Sequence, residues 1–248
     1  MNIAEAKILI TGAGRGIGRF IALGLLEKAA KIIVIDNNKQ LINELPIRPS
    51  LIAFECDITD PVAVEKVVSE IFEKHDGINV CINNAGIIHS EPLVNLLSKG
   101  DKKHSIDNWS KVINLNLNAV FYVTSNVVEQ MILKKQKGVV INISSISAQG
   151  NVGQSAYAST KAAVEALAKT WSKELGMFNI RAVSIAPGFF DTQSTRESLN
   201  DHMLLKWQKA IPLGKLGELE QLLSAVEFII QNDYFNGKTL SVDGGLTI

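Results

Sequence analysis

The stretch KILITGAGRGIGRF, residues 7–20, decides the fold. A β-branched apolar run, Lys7 to Thr11, passes directly into glycines at 12, 14, 16 and 18, with a helical pattern beyond them. Glycine lets a backbone turn sharply and approach a ligand closely. The helix that follows offers free N–H groups and a partial positive charge, which suits a phosphate. Alone, such a string reads as a tight strand-to-helix turn. Here it sits on the first strand–helix unit, and the next apolar run, KIIVID, ends in an acid, Asp36, about 20 residues on. That order points to a pyrophosphate cradle, with Gly12, Gly14, Arg15, Gly16, Ile17 and Gly18 around a dinucleotide. A carboxylate at position 36 accepts hydrogen bonds from the adenosine ribose and repels a 2′-phosphate. NAD is therefore expected over NADP, although Arg15 and Lys39 pull the other way.

Outward from this unit the alternation repeats. Further strands are predicted at 51–57, 78–84, 138–144, 180–186 and 238–244, and helices at 16–29, 61–74, 107–134, 155–176 and 218–231. The strands are continuously apolar, as parallel strands covered on both faces are. The prediction is an α/β protein, a single domain over 1–248. Its sheet is doubly wound, mostly parallel and seven-stranded, with helices on both faces. Two stretches break the pattern. Residues 88–106 are polar with one glycine and three lysines, and 188–212, after a Pro-Gly pair, holds Phe189, Phe190, Met203 and Trp207. The first reads as a surface excursion and the second as a lid over substrate.

Composition narrows the function. The chain has 248 residues, 25 basic and 25 acidic side chains, no net charge and 46% apolar residues. A folded core is expected rather than disorder. Nucleic-acid binding, which needs clustered Lys and Arg, is not expected. The two cysteines, Cys56 and Cys81, lie in apolar runs and read as buried free thiols. The four histidines are scattered without zinc spacing, so no metal site is expected. The N-terminus does not read as a signal peptide, and no apolar run is long enough to span a membrane. A cytoplasmic protein is the expectation.

The second chemical signal is QSAYASTKAAVEAL, which sets Tyr157 and Lys161 four apart on one helix face. An ammonium beside a phenol favours the phenolate, so tyrosine could exchange a proton near neutral pH. Upstream, GVVINIS ends in Ser144 and Ser145, at the carboxyl edge of the sheet where open α/β folds bind ligands.

Taken in order, TGAGRGIG, Asp57, NNAG, the asparagine within VINLNL, NISS, YASTK, APG and SVDGG resemble the short-chain dehydrogenase/reductase family over essentially the whole chain. The likeness is closest to the branch of 3-oxoacyl-[acyl-carrier-protein] reductases and 3-hydroxyacyl-CoA dehydrogenases. The resemblance implies a Rossmann fold and hydride exchange between a nicotinamide cofactor and a carbonyl or secondary alcohol. A 3-oxoacyl or 3-hydroxyacyl thioester, CoA- or carrier-linked, is the leading substrate. A steroid, sugar or diol substrate, or a dinucleotide-binding sensor without turnover, are the alternatives. It implies Tyr157 as general acid/base, Lys161 as its partner and ribose ligand, and a serine holding the carbonyl. Aligning on the strand selects Ser145, whereas the family's usual spacing to the tyrosine selects Ser144; Ser145 is preferred. Asn116, seven residues after Trp109, would position a water linking Lys161 to solvent. Asp57 would contact adenine and Ile58 pack on it. Asn84, Ala85 and Gly86 would line the cofactor cleft, and Asn83 hold the central strands. Pro187, Gly188 and Thr192 would border the nicotinamide. A homotetramer is implied too, with helices 107–134 and 155–176 packing across a two-fold.

Overall fold

The computed structural model describes residues 1–192, 195 and 201–248, the side chains of 201–204 apart. Seven strands form one sheet: β1 (Lys7–Thr11), β2 (Lys31–Asp36), β3 (Leu51–Glu55), β4 (Val80–Asn83), β5 (Gly138–Ile143), β6 (Ile180–Pro187) and β7 (Thr239–Val242). Their order is β3-β2-β1-β4-β5-β6-β7 and every pairing is parallel. Register follows the apolar pattern: Leu9 lies between Ile33 and Cys81, and Ile141 between Ile82 and Val183.

The helices are α1 (Gly16–Leu26), α2 (Lys39–Asn43), α3 (Pro61–Lys74), α4 (Ile106–Ile113), α5 (Ala119–Leu133), α6 (Ser155–Glu174), α7 (Asp201–Ala210) and α8 (Leu219–Gln231). Alternate strand residues feed opposite cores. Ile8, Ile10, Ile32 and Val34 meet Ile21 and Leu25 of α1 and Val226 and Ile229 of α8. Leu9, Ile33, Ile35 and Cys81 meet Val68 and Ile71 of α3, Val123 and Val127 of α5, and Trp171 of α6. Each fully buried side chain of this size contributes about 1.5–3 kcal/mol, so the two faces together hold the sheet between its helices. Both cysteines are buried and free, and burial pushes the Cys56 thiol to about 11 and the Cys81 thiol to about 12.

Three features depart from the sequence reading. The predicted helix 107–134 is α4 and α5 joined by a π-helical segment, Asn114–Asn118. The region after Pro187–Gly188 is not irregular throughout, since α7 lies inside it; the rest of the expected lid falls partly on 193, 194 and 196–200, outside the described residues. Phe190 is no pocket wall: it is 4% exposed, belongs to the core, and bridges to Gly217.

Strands run left of β1 to β3 and right of β4 to β7, so the winding reverses between β1 and β4. Crevices for ligands open at such reversals, beyond the carboxyl ends of the strands.

Candidate active site

At the reversal, the β1–α1 turn and the β4 end are bolted together through main-chain atoms. Thr11 Oγ1 accepts hydrogen bonds from the N–H groups of Asn84 and Ala85, both at 3.1 Å. Asn84 Nδ2 donates back to the carbonyls of Thr11 (3.0 Å) and Gly12 (3.1 Å). Contact is so close that a Cβ on Gly12, whose φ is +63°, would lie 2.8 Å from Ala85 Cα. Asn84 thus holds the glycine turn rather than presenting its amide to the cleft. No side chain caps the first turn of α1, whose N-cap is Arg15, so its free N–H groups remain for an anion.

Asp36 closes the next position. It is 9% exposed; its Oδ2 accepts from the Gly14 N–H at 2.9 Å and its Oδ1 from the Asn38 N–H at 3.0 Å. A side chain at Gly14 would strike that carboxylate at 2.9 Å. The glycine turn, the uncapped helix start and this acid fit a dinucleotide: backbone donors for its pyrophosphate and an acceptor for a ribose hydroxyl. Lys39 is drawn towards Glu55, 3.8 Å away. Asp57 is exposed at the end of β3 and folded back on Thr59 (N–H 2.9 Å, Oγ1 2.7 Å), while Ile58 is buried in the core.

Asn83 ties the centre of the sheet. Its Nδ2 donates to Asn142 Oδ1 on β5 and to Thr124 Oγ1 on α5, both at 2.9 Å. Asn142 in turn donates to the Val164 carbonyl of α6. Each such buried bond is worth about 1 kcal/mol, and an orphaned partner costs more.

On the right of the reversal lie the two serines, the tyrosine and the lysine. Ser144 is buried; its hydroxyl donates to the Lys161 carbonyl (3.0 Å) and to Glu165 Oε1 (2.8 Å), on the far side of the strand end. Ser145 lies near enough to Tyr157 for its hydroxyl to favour the phenolate, and its Oγ accepts the Ser147 N–H at 3.1 Å. Lys161 is 5% exposed, and its ammonium donates to the Ile143 carbonyl at 2.7 Å and sits 5.6 Å from the Tyr157 ring centre. Asn116 is also buried. The π-turn swings it inward, where its carboxamide pairs with both the N–H and the carbonyl of Ile87 at 2.9 Å; Asn118 instead turns to Asn114. A Cβ on Gly86 would fall 3.2 Å from Asn116 Oδ1 and 3.7 Å from Lys161 Nζ, so these residues meet at one point.

The electrostatics correct one expectation. Burial raises the Tyr157 phenol above its ordinary value, and the nearby Ser145 hydroxyl only partly offsets this. The Lys161 ammonium spends its bond on Ile143, and burial lowers it to about 8. Without further partners the tyrosine is therefore held as a neutral proton donor, not primed as phenolate.

Pro187 ends β6, and Gly188 donates its N–H to Val242 at 2.8 Å, so close to Asp243 that a Cβ would meet its Cα at 2.7 Å. Thr192 lies beyond; its Oγ1 is 2.8 Å from Thr195 Oγ1. Phe189 and Trp207 stack at 4.7 Å beside Leu246 and Ile248. The expectation of no metal constellation needs amending as well. The excursion after β4 gathers His89, Glu91 and His104, whose ligand atoms lie within 4.8 Å of one another. Chain spacing gave no sign of it, because Val94 and Lys103 must pair to close the loop first.

A family model for short chain dehydrogenases matches residues 6–203. The chain is 36% identical to the 3-oxoacyl-[acyl-carrier-protein] reductase FabG of Thermotoga maritima, over 98% of this chain and 99% of the relative. It is 32% identical to the protein of the same name from Escherichia coli K12, over 99% of each. Among solved structures, ligand-free aldohexose dehydrogenase from Thermoplasma acidophilum superposes with a TM-score of 0.84 at 26% identity, covering 98% of this chain and 94% of the other.

Proposed function

Because the chain belongs to the short-chain dehydrogenase family and is an oxidoreductase using a nicotinamide cofactor, we propose that it reduces the keto group of a 3-oxoacyl thioester, CoA- or carrier-linked. The observation that carries this reading is Tyr157 set next to both Ser145 and Lys161, with Lys161 and Asn116 beside Gly86. When bound, the cofactor supplies the hydride. Tyr157, kept protonated by burial, donates its phenolic proton to the substrate oxygen as negative charge develops there. Ser145 donates a hydrogen bond to the same oxygen. Lys161 would hold the nicotinamide ribose and stabilise the tyrosinate left behind. Asn116 pins the Ile87 backbone next to Lys161, on the side where a water would relay the proton from solvent.

Gly12, Gly14, Arg15, Gly16, Ile17 and Gly18 would cradle the pyrophosphate, Asp57 and Ile58 the adenine, and Ala85, Gly86, Pro187, Gly188 and Thr192 the nicotinamide side. NAD(H) is the proposed cofactor, supported by the buried carboxylate of Asp36 and by Lys39 leaning to Glu55. A homotetramer is proposed from the exposed apolar residues Ile106, Trp109, Phe121 and Leu133 on α4 and α5; light scattering that finds a monomer would overturn it. Among the described residues no helix is long and apolar enough to cross a membrane, and a cytoplasmic location is proposed.

The deciding experiment follows NADH and NADPH oxidation with acetoacetyl-CoA, and NAD reduction with aldohexoses, steroids and short diols. Turnover of the thioester with NADH is expected. Preference for a sugar would move the assignment towards the function named for the structural neighbour. Cofactor binding without turnover on any arm would favour a sensor.

A further inference from the structure

The excursion that follows β4 returns on itself. Val94 pairs with Lys103 across a short hairpin, and the His104 N–H donates to the Leu93 carbonyl at 3.0 Å. Closing the hairpin brings His104 back to His89 and Glu91. His89 Nε2 is 2.8 Å from Glu91 Oε2, His104 Nδ1 is 3.7 Å from the same oxygen, and the two imidazoles meet edge to face at 5.7 Å. The three side chains are 29%, 26% and 8% exposed, with His104 the most deeply set.

The charge balance of the cluster is incomplete. Glu91 takes the Ser105 N–H at 2.9 Å and Asn108 Nδ2 at 3.2 Å, both neutral donors. Among the described residues no lysine or arginine lies within 4.0 Å of its carboxylate; the groups paired with it are the two imidazoles. A partly buried carboxylate between two imidazoles, with no fixed cation, is the donor set that divalent ions of borderline softness take. The surroundings already orient the ligands as outer partners do in metal sites. Ser105 and Asn108 fix the carboxylate, and His104 packs against the Trp109 ring at 6.3 Å.

We propose that His89, Glu91 and His104 form a binding site for a divalent ion of the Zn²⁺ class, completed by water, which pins the two ends of the excursion to each other. The ion would take the place of two existing contacts, His89 to Glu91 and His104 Nδ1 to the Ser105 carbonyl at 2.9 Å. With one carboxylate and two imidazoles, Zn²⁺ is favoured over Mg²⁺ and Ca²⁺, which want oxygen ligands. The clamp acts where substrate must enter. The Glu91 N–H donates to the Gly153 carbonyl at 2.6 Å, and Gln154 donates to Ser90 at 3.2 Å, just before the helix bearing Tyr157. An ion at Glu91 would therefore stiffen both the hairpin and the turn that leads to the catalytic helix. The site is independent of which substrate or dinucleotide the enzyme uses.

The test uses full-length, tag-free protein stripped with a chelator and titrated with Zn²⁺ alone in a calorimeter. One ion per chain is expected. His89→Ala and His104→Ala should each weaken binding by more than about 100-fold, beyond what loss of an outer partner costs. Glu91 also ties main-chain atoms, so Glu91→Gln, which keeps its shape, is the third variant and should weaken binding similarly. In parallel, trypsin should cut more slowly after the exposed Lys99, Lys102 and Lys103 when Zn²⁺ is present, in the unmutated chain and not in His104→Ala. Absence of stoichiometric binding, or an affinity in both histidine variants equal to that of the unmutated chain, overturns the proposal. So does protection from trypsin that persists in His104→Ala.

Discussion

The two halves of the sheet's carboxyl edge are built on different principles. Left of the reversal, Thr11, Asn84, Gly14 and Asp36 are fixed by hydrogen bonds to main-chain atoms, and side chains are excluded by close packing. Right of it, Tyr157 and Lys161 are nearly buried and held by few bonds, and burial itself moves both proton affinities. The left half is a mould, and its residues matter through shape. The right half is a desolvated chemical site, and its residues matter through protonation. Changes on the left should spare the chemistry per bound cofactor, whereas loss of the Tyr157 hydroxyl on the right should spare binding.

The sharpest way to break that contrast is Tyr157→Phe. Turnover should fall by at least about 10²–10⁴-fold, the usual worth of a positioned proton donor, while dinucleotide affinity and the unfolding midpoint stay near those of the unmutated protein. A variant that still turns over at a comparable rate would remove the proton donor from the account. The same half predicts a pH dependence. Tyr157, raised by burial, stays protonated through neutral pH, but Lys161 loses its proton as pH rises through about 8. The reduction rate should be level below that pH and decline above it, and the decline should vanish from the residual rate of Lys161→Met. A reduction rate that climbs between neutral and alkaline pH would contradict the assignment.

Next in size is the pair of serines. Ser145→Ala should lower kcat by roughly 10²-fold, as loss of one donor to a developing oxyanion does. Ser144→Ala should change kcat little but cost about 1 kcal/mol of stability, because Glu165 loses its donor. If Ser144→Ala alone abolishes turnover, the geometry at the end of β5 has been misread. Smaller still is the effect of Asp36→Ala. The ratio of kcat/KM for NAD over NADP should move towards NADP by at least about tenfold, or about 1.4 kcal/mol, once the carboxylate is gone. An unmutated enzyme that prefers NADPH would contradict the cofactor proposal outright.

The same division explains what could be read in the sequence. Strands β1 and β2 were legible to the residue, because strands buried on both faces are unbroken apolar runs. The glycine turn and Asp36 were legible because glycine positions and an acid at a strand end are local signals. The inward turn of Asn116 was not. Its distance from Trp109 singles it out, but the π-segment that swings it towards Ile87 leaves no mark in NLNLN. Helix α7 was missed because it follows a Pro-Gly break and its sequence, DHMLLKWQKA, is too polar for a clear stripe. Desolvation of Tyr157 and Lys161 was hidden for a deeper reason: the i,i+4 spacing shows that they share a face, not how much protein covers it. The meeting of His89, Glu91 and His104 depends on a loop closing, which spacing along the chain does not encode.

The smallest test bears on the mould alone. Gly16 opens α1 with φ at +57°, yet a Cβ placed there would have nothing within 4 Å. Crowding and backbone strain, which coincide at Gly12, are therefore separate at Gly16. Gly16→Ala should cost only the strain of a left-handed alanine, about 1 kcal/mol, read from the denaturant midpoint. Its kcat at saturating cofactor should match that of the unmutated enzyme, since no catalytic group moves. A fall in kcat with unchanged stability would mean that the turn reaches into the chemistry, and that the two halves of the edge are not separable.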